Sequence, residues 1–176
     1  MASQRPDLTI SADGGSRGNP GPAALGVVIE GPSTPRQARG ITISGLPGSH
    51  PSTSSGHKEY AEYLGDLTNN EAEYRSLIFA LKKAKALYGK AKARAMAVEV
   101  RMDSELVVKQ LNAEYKIEDE KLQPLFLQVW NLKQDFDSVR FVAVPRQKNR
   151  RADALVNRVL DQQGSSRNHR QRRNRE

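Results

Sequence analysis

The sequence predicts an α/β domain, a mixed β-sheet with helices packed on its faces. Three observations carry the prediction. Alternating apolar residues mark strands near the N-terminus and again before residues 103 and 144. Apolar residues at helical spacing mark the segments between and after them. The order runs as a group of strands followed by helix, strand, helix, strand, helix, which builds a meander joined to β-α-β units.

Leu8, Ile10 and Ala12 alternate with Thr9, Ser11 and Asp13, so the first strand has one apolar side. The run GGSRGNPGP is a turn signal, and AALGVVIEG is the second arm of a hairpin. ITISGL, residues 41–46, is a candidate further strand. A Pro-, Gly- and Ser-rich insertion over about 46–57 follows, after which KEYAEYLG resumes strand character. Tyr74, Leu77, Ile78, Leu81, Ala84 and Tyr88 form one face of a long helix that Gly89 should stop. Val98, Val100 and Met102 then alternate with Glu99, Arg101 and Asp103. SELVVKQLN reads as a short helix. A longer one turns Leu122, Leu125, Phe126, Val129 and Leu132 inward, with Pro124 in its first turn. SVRFVAVPR is a last strand and RRADALVNRVLDQQ a last helix.

The chain of 176 residues holds no cysteine, so disulfides and thiolate metal sites are excluded. No segment has the apolar length of a membrane span or a signal core, and a cytoplasmic protein is expected. The formal charge is +8, and the last twelve residues carry five Arg and one Glu. A basic body and a basic tail suit a polyanion such as nucleic acid. The expected organisation is one domain over 1–163 and a disordered basic tail over 164–176.

Four acids stand at element ends. Asp13 closes the first strand and Asp103 the strand before the short helix. Glu73 and Asp153 lie in the first turns of the first and last helices. Taken singly, each has an ordinary explanation as a turn former, a cap or a first-turn acid. Together they could meet where strand ends and helix starts converge. Clustered carboxylates repel unless cations sit between them. Oxygen ligands without Cys or His select Mg²⁺ or Mn²⁺, and two such ions support phosphodiester hydrolysis. Glu71 has the T-x-x-E spacing of a capping box with Thr68, so it is structural. Glu73 points elsewhere and is the candidate ligand. Asn69 and Asn70 beside it are either loop solvation or contacts to bases and sugars.

The fragments SADGGSRGNPGPAALGVVI, TNNEAEYRSLIFAL, RMDSELVVKQL and VPRQKNRRADALVN, in this order, resemble type 1 ribonuclease H. The resemblance spans about residues 7 to 163. It implies a five-stranded mixed sheet flanked by helices on both faces. It implies cleavage of the RNA strand of RNA–DNA hybrids with two Mg²⁺ ions, for which Mn²⁺ could substitute, leaving 5′-phosphate and 3′-hydroxyl ends. Asp13, Glu73, Asp103 and Asp153 take the metal-binding positions. Gly14, Gly15, Ser16 and Arg17, with Asn19, Asn69, Asn70 and Glu105, match positions that read the minor groove. Thr68 matches one that holds a phosphate of the DNA strand. A monomer that acts on the hybrid duplex without membrane contact is expected.

Two departures stand out. The loop VPRQKNRRAD lacks the histidine of many members; His50, His57 and His169 lie elsewhere, and Arg146 is the nearest substitute. The extended basic protrusion of some members is also missing, since NAEYKIEDEK is short and mixed in charge. A hybrid-binding module without catalysis, a transferase or integrase on the same fold, and the nuclease part of a longer polypeptide remain the alternatives.

Overall fold

β1 (Leu8–Ser16), β2 (Gly21–Glu30) and β3 (His57–Leu67) open the chain as an antiparallel meander. Then come α1 (Asn69–Tyr88), α2 (Lys90–Ala93), β4 (Ala97–Met102), α3 (Glu105–Leu111), α4 (Gln123–Lys133), β5 (Ser138–Ala143) and α5 (Arg150–Arg173). This computed structural model describes residues 5–31 and 56–173, of which 166–173 by backbone alone. The candidate strand ITISGL, most of the Ser-rich insertion and His50 lie outside the described residues. No helix among the described residues is long and apolar enough to cross a membrane.

The sheet has the order β3-β2-β1-β4-β5, with β4 parallel to both β1 and β5. It is the five-stranded mixed sheet that the resemblance implied. Parallel alignment puts the C-terminal ends of β1, β4 and β5 along one edge. Asp13, near the end of β1, and Asp103 and Arg146, after the ends of β4 and β5, are thereby gathered.

Packing follows from the strand pattern. Leu8, Ile10 and Ala12 of β1, Leu25, Val27 and Ile29 of β2, and Val98, Val100 and Met102 of β4 are buried beneath α1, α3 and α4. Tyr74, Leu77, Ile78, Leu81 and Ala84 of α1 meet them, as their spacing predicts. On the other face α5 lies over β1, β2 and β3 and buries Val156 and Leu160 against Ala24. β2 is therefore covered on both sides, which explains its nearly unbroken apolar run.

The helix ends are specified by sequence. Thr68 caps α1 in a full capping box with Glu71, and Gly89, at φ 79°, ends it. Pro124 sits in the first turn of α4, where its missing N–H is harmless. Glu99, on the face of β4 opposite Val98 and Val100, is buried, and Arg101 and Arg140 both pair with its carboxylate. The backbone of α5 continues as helix to Arg173, past the boundary drawn at Gly164.

Candidate active site

The acid of β1 sits at a change of pairing. Parallel bonding to β4 ends at Ser11 opposite Arg101, while pairing to β2 continues through Asp13 opposite Gly26. Gly14 lets α1 approach: a Cβ there would collide with the backbone of Ala72 and Glu73. Gly26 does the same for α5, where a Cβ would collide with the Ala152 carbonyl. Two glycines beside Asp13 thus admit the helix starts that carry Glu73 and Asp153.

Carboxylate oxygens of Asp13, Glu73 and Asp103 lie within 4.8 Å of one another. Asp13 and Glu73 are buried, and one Glu73 oxygen, Oε2, has no hydrogen-bond partner. Burial, with the charges of Asp103 and Asp153, pushes the Asp13 carboxyl up to about 7. Burial, with Asp13 and Asp103, pushes Glu73 well above the usual carboxylate range. The Gly14 backbone opposes both shifts by hydrogen bonding and does not overcome them. Three acids this close cannot all ionise unless positive charge enters. The orphan oxygen and the all-carboxylate donor set fit a hard divalent cation.

Asp153 lines the same cleft, of about 260 Å³. Its oxygens are engaged otherwise. Oδ1 accepts from Arg146 at 2.6 Å and Oδ2 from Asn157 at 3.2 Å. Arg146, on the turn after β5, is exposed, and its pairing with Asp153 holds its proton more firmly. His57 lies at the start of β3 against Arg151 and does not line the cleft.

Gly14, Gly15, Ser16, Arg17 and Asn69 line the cleft with the acids. Asn69 ties its wall together: its side-chain oxygen accepts from the Ser16 N–H at 3.3 Å, and its own N–H donates to the Asn19 side chain at 3.2 Å. Arg17 pairs with Asp161 of α5 at 2.5 Å. Thr68, Asn19, Asn70 and Glu105 lie outside the cleft lining. Thr68 is occupied by the cap, donating its hydroxyl to Glu71 at 2.7 Å. The Glu71 carboxyl is held below its usual range by the Thr68 N–H and hydroxyl. Glu105 pairs with Lys109 one turn along α3.

Asn149 escaped the sequence reading. It is buried, and its Nδ2 donates to the Ala12 carbonyl at 3.0 Å and to Asp103 Oδ1 at 3.2 Å. It joins the loop after β5 to the end of β1 and orients one of the acids. An asparagine at a helix entry, four residues before Asp153, was the available signal. Gly26 left another, as a lone glycine in an apolar strand.

The chain matches the reverse transcriptase-like family over residues 11–159. It is 35% identical over 154 residues to the bifunctional protein Rv2228c of Mycobacterium tuberculosis, covering 88% of this chain and 35% of that one. It is 38% identical over 150 residues to ribonuclease HI of Halobacterium salinarum, covering 85% of this chain and 62% of that one. It therefore spans about a third of the length of the mycobacterial relative. Among solved structures, LC11-RNase H1 in complex with an RNA/DNA hybrid superposes with a TM-score of 0.69 at 38% identity, covering 88% of this chain and 97% of that one. The N-terminal RNase H domain of Rv2228c gives 0.64 at 35%, covering 85% and 95%. The sequence match, the sheet order and the three converging acids agree, and the chain belongs to the reverse transcriptase-like family, as a type 1 ribonuclease H.

Proposed function

We propose that this chain is an endoribonuclease that cuts the RNA strand of RNA–DNA hybrids and leaves 5′-phosphate and 3′-hydroxyl ends. Asp13, Glu73, Asp103 and Asp153 would hold two divalent cations, Mg²⁺ or Mn²⁺. The carrying observation is the meeting of Asp13, Glu73 and Asp103, with an unpartnered Glu73 oxygen, at the rim of a polar cleft. The ribonuclease H names of its relatives, one solved with a hybrid bound, support the substrate. When bound, such ions activate water and offset the charge that builds on a phosphodiester.

The chain's own residues do the rest. The Gly14–Ser16 backbone and Asn69 form a wall without bulky side chains, suited to a wide, shallow minor groove lined with 2′-hydroxyls. Asn19, Asn70 and Glu105 would contact that groove farther out, and Thr68 a phosphate of the DNA strand. Arg146 stays charged at working pH, so it binds phosphate rather than moving a proton. Its ion pair with Asp153 has a consequence: a phosphate that draws Arg146 away frees the Asp153 carboxylate for the cation site.

The test is digestion of matched RNA–DNA, RNA–RNA, DNA–DNA and single-stranded RNA, with and without Mg²⁺. Cutting confined to the RNA of the hybrid and dependent on Mg²⁺ is expected. Equal cutting of the duplexes, or none of the hybrid, would overturn the assignment.

A further inference from the structure

The loop after β5 has two sides. Arg146 turns to the acidic cleft, whereas Gln147 to Arg151 line a second cavity of about 250 Å³ that shares no lining residue with it. α5 packs over β1, β2 and β3. Ser11 and Arg101, paired across β1 and β4, form the cavity's sheet side.

Four cations line this cavity, and two have their charge committed. Arg101 donates to Glu99 at 2.7 Å, a carboxylate it shares with Arg140. Arg151 pairs with Glu30 and Glu59 at 3.3 and 2.9 Å. Lys148 and Arg150 are exposed, and neither side chain has an anionic partner among the described residues. Glu30 is the one acid among the lining residues, and Arg151 holds it. Two uncommitted cations at the mouth of a recess are an attractive place for an anion with several acceptor oxygens.

A second observation bears on what such an anion does. Asn149 lines this same cavity while only 1% exposed. Its amide donates away from the cavity, to Ala12 and Asp103, and its Oδ1 is buried without a partner. That oxygen accepts and cannot answer an anion, so the cations alone would hold the charge and Asn149 serves as the connection to Asp103.

We propose that this cavity is a second phosphate-binding site, separate from the cleft, and that Asn149 connects it to Asp103. The phosphate sits between Lys148 and Arg150. Its binding fixes the turn that carries Asn149 and so the orientation of the Asp103 carboxylate. Phosphate could arrive as the backbone of a strand running beyond the cleft or as a free anion.

The experiment uses the full chain in EDTA and two double variants, Lys148→Gln with Arg150→Gln, and Lys90→Gln with Lys92→Gln as a control of equal charge loss. In one arm inorganic phosphate is titrated while ¹H–¹⁵N spectra follow the backbone of residues 147–151 and the Asn149 side-chain amide. In the other, affinity is measured for a blunt hybrid and for the same hybrid with a single-stranded extension. Saturable phosphate shifts that vanish only in the loop variant are expected. A loss of about tenfold in affinity, confined to the extended hybrid and to that variant, would identify the strand as the source. Phosphate shifts without that loss would identify a free anion. A loop variant that matches the control in both arms overturns the site. Shifts at residues 147–151 with an unmoved Asn149 amide overturn the link to Asp103.

Discussion

Asp13 sits in a conflict between burial and charge. Its carboxyl is raised from an ordinary 3.8 to about 7 by burial and by neighbouring acids. The folded chain therefore holds a proton there that the unfolded chain has lost between those values. The stability this contributes is complete below about pH 4 and is lost as pH rises through about 7. Metal-free protein should accordingly melt lower at pH 8 than at pH 5, and a melting series in EDTA checks it. Asp13→Asn should cut hybrid cleavage by orders of magnitude yet raise the metal-free melting temperature at pH 8. Near-wild-type cutting would remove Asp13 from the site. Glu71 and Glu73 should separate in the same assay. Glu71→Gln preserves a capping box and should be mild. Glu73→Gln should be severe, and the reverse ranking would exchange their roles. The capping role of Glu71 was legible in sequence because capping is a local geometry. Glu99 and Asn149 were not, because Arg140, Ala12 and Asp103, on which their burial rests, lie far along the chain. Burial pushes the Glu99 carboxyl up, but hydrogen bonds and charge from Arg101 and Arg140 more than offset it.

At the scale of elements, α1 matters most, since its first turn places Glu73 and its cap fixes where that turn begins. Thr68→Ala removes the acceptor for the Glu71 N–H and should cost about 1 kcal/mol. That is a fall of about 2–4 °C in melting temperature for a chain of this size. An unchanged melting temperature would mean that packing alone fixes the helix start. Elements were readable where periodicity and punctuation coincided. β1, β2, β4 and α1 all carry an apolar face and a stop signal. α4 was readable through Leu122, Leu125 and Val129, which are buried, while Trp130 on its outer side is exposed. The end of α5 was harder, because Gly164 and the polar run after it look like a stop. The backbone nevertheless stays helical to Arg173.

For the whole molecule, charge and scaffold act over different ranges. Removing residues 165–176 takes away most of the basic tail, and hybrid affinity should fall mainly at low salt. The slope of log affinity against log salt should become shallower by about 0.9 for each phosphate the tail no longer neutralises, taking the value for a B-form duplex. An unchanged slope would deny the tail that role. The scaffold works at close quarters. Gly14 and Gly26 bring main chain against main chain on either side of Asp13. The gaps between the acid on the strand and those on the two helix starts are thus gauged by peptide groups rather than by the bulk of interior side chains. Interior methyls can be exchanged over generations without retuning the distances the chemistry needs. A saturation scan would then find these two positions, which bear no functional group, as intolerant of change as the acids themselves.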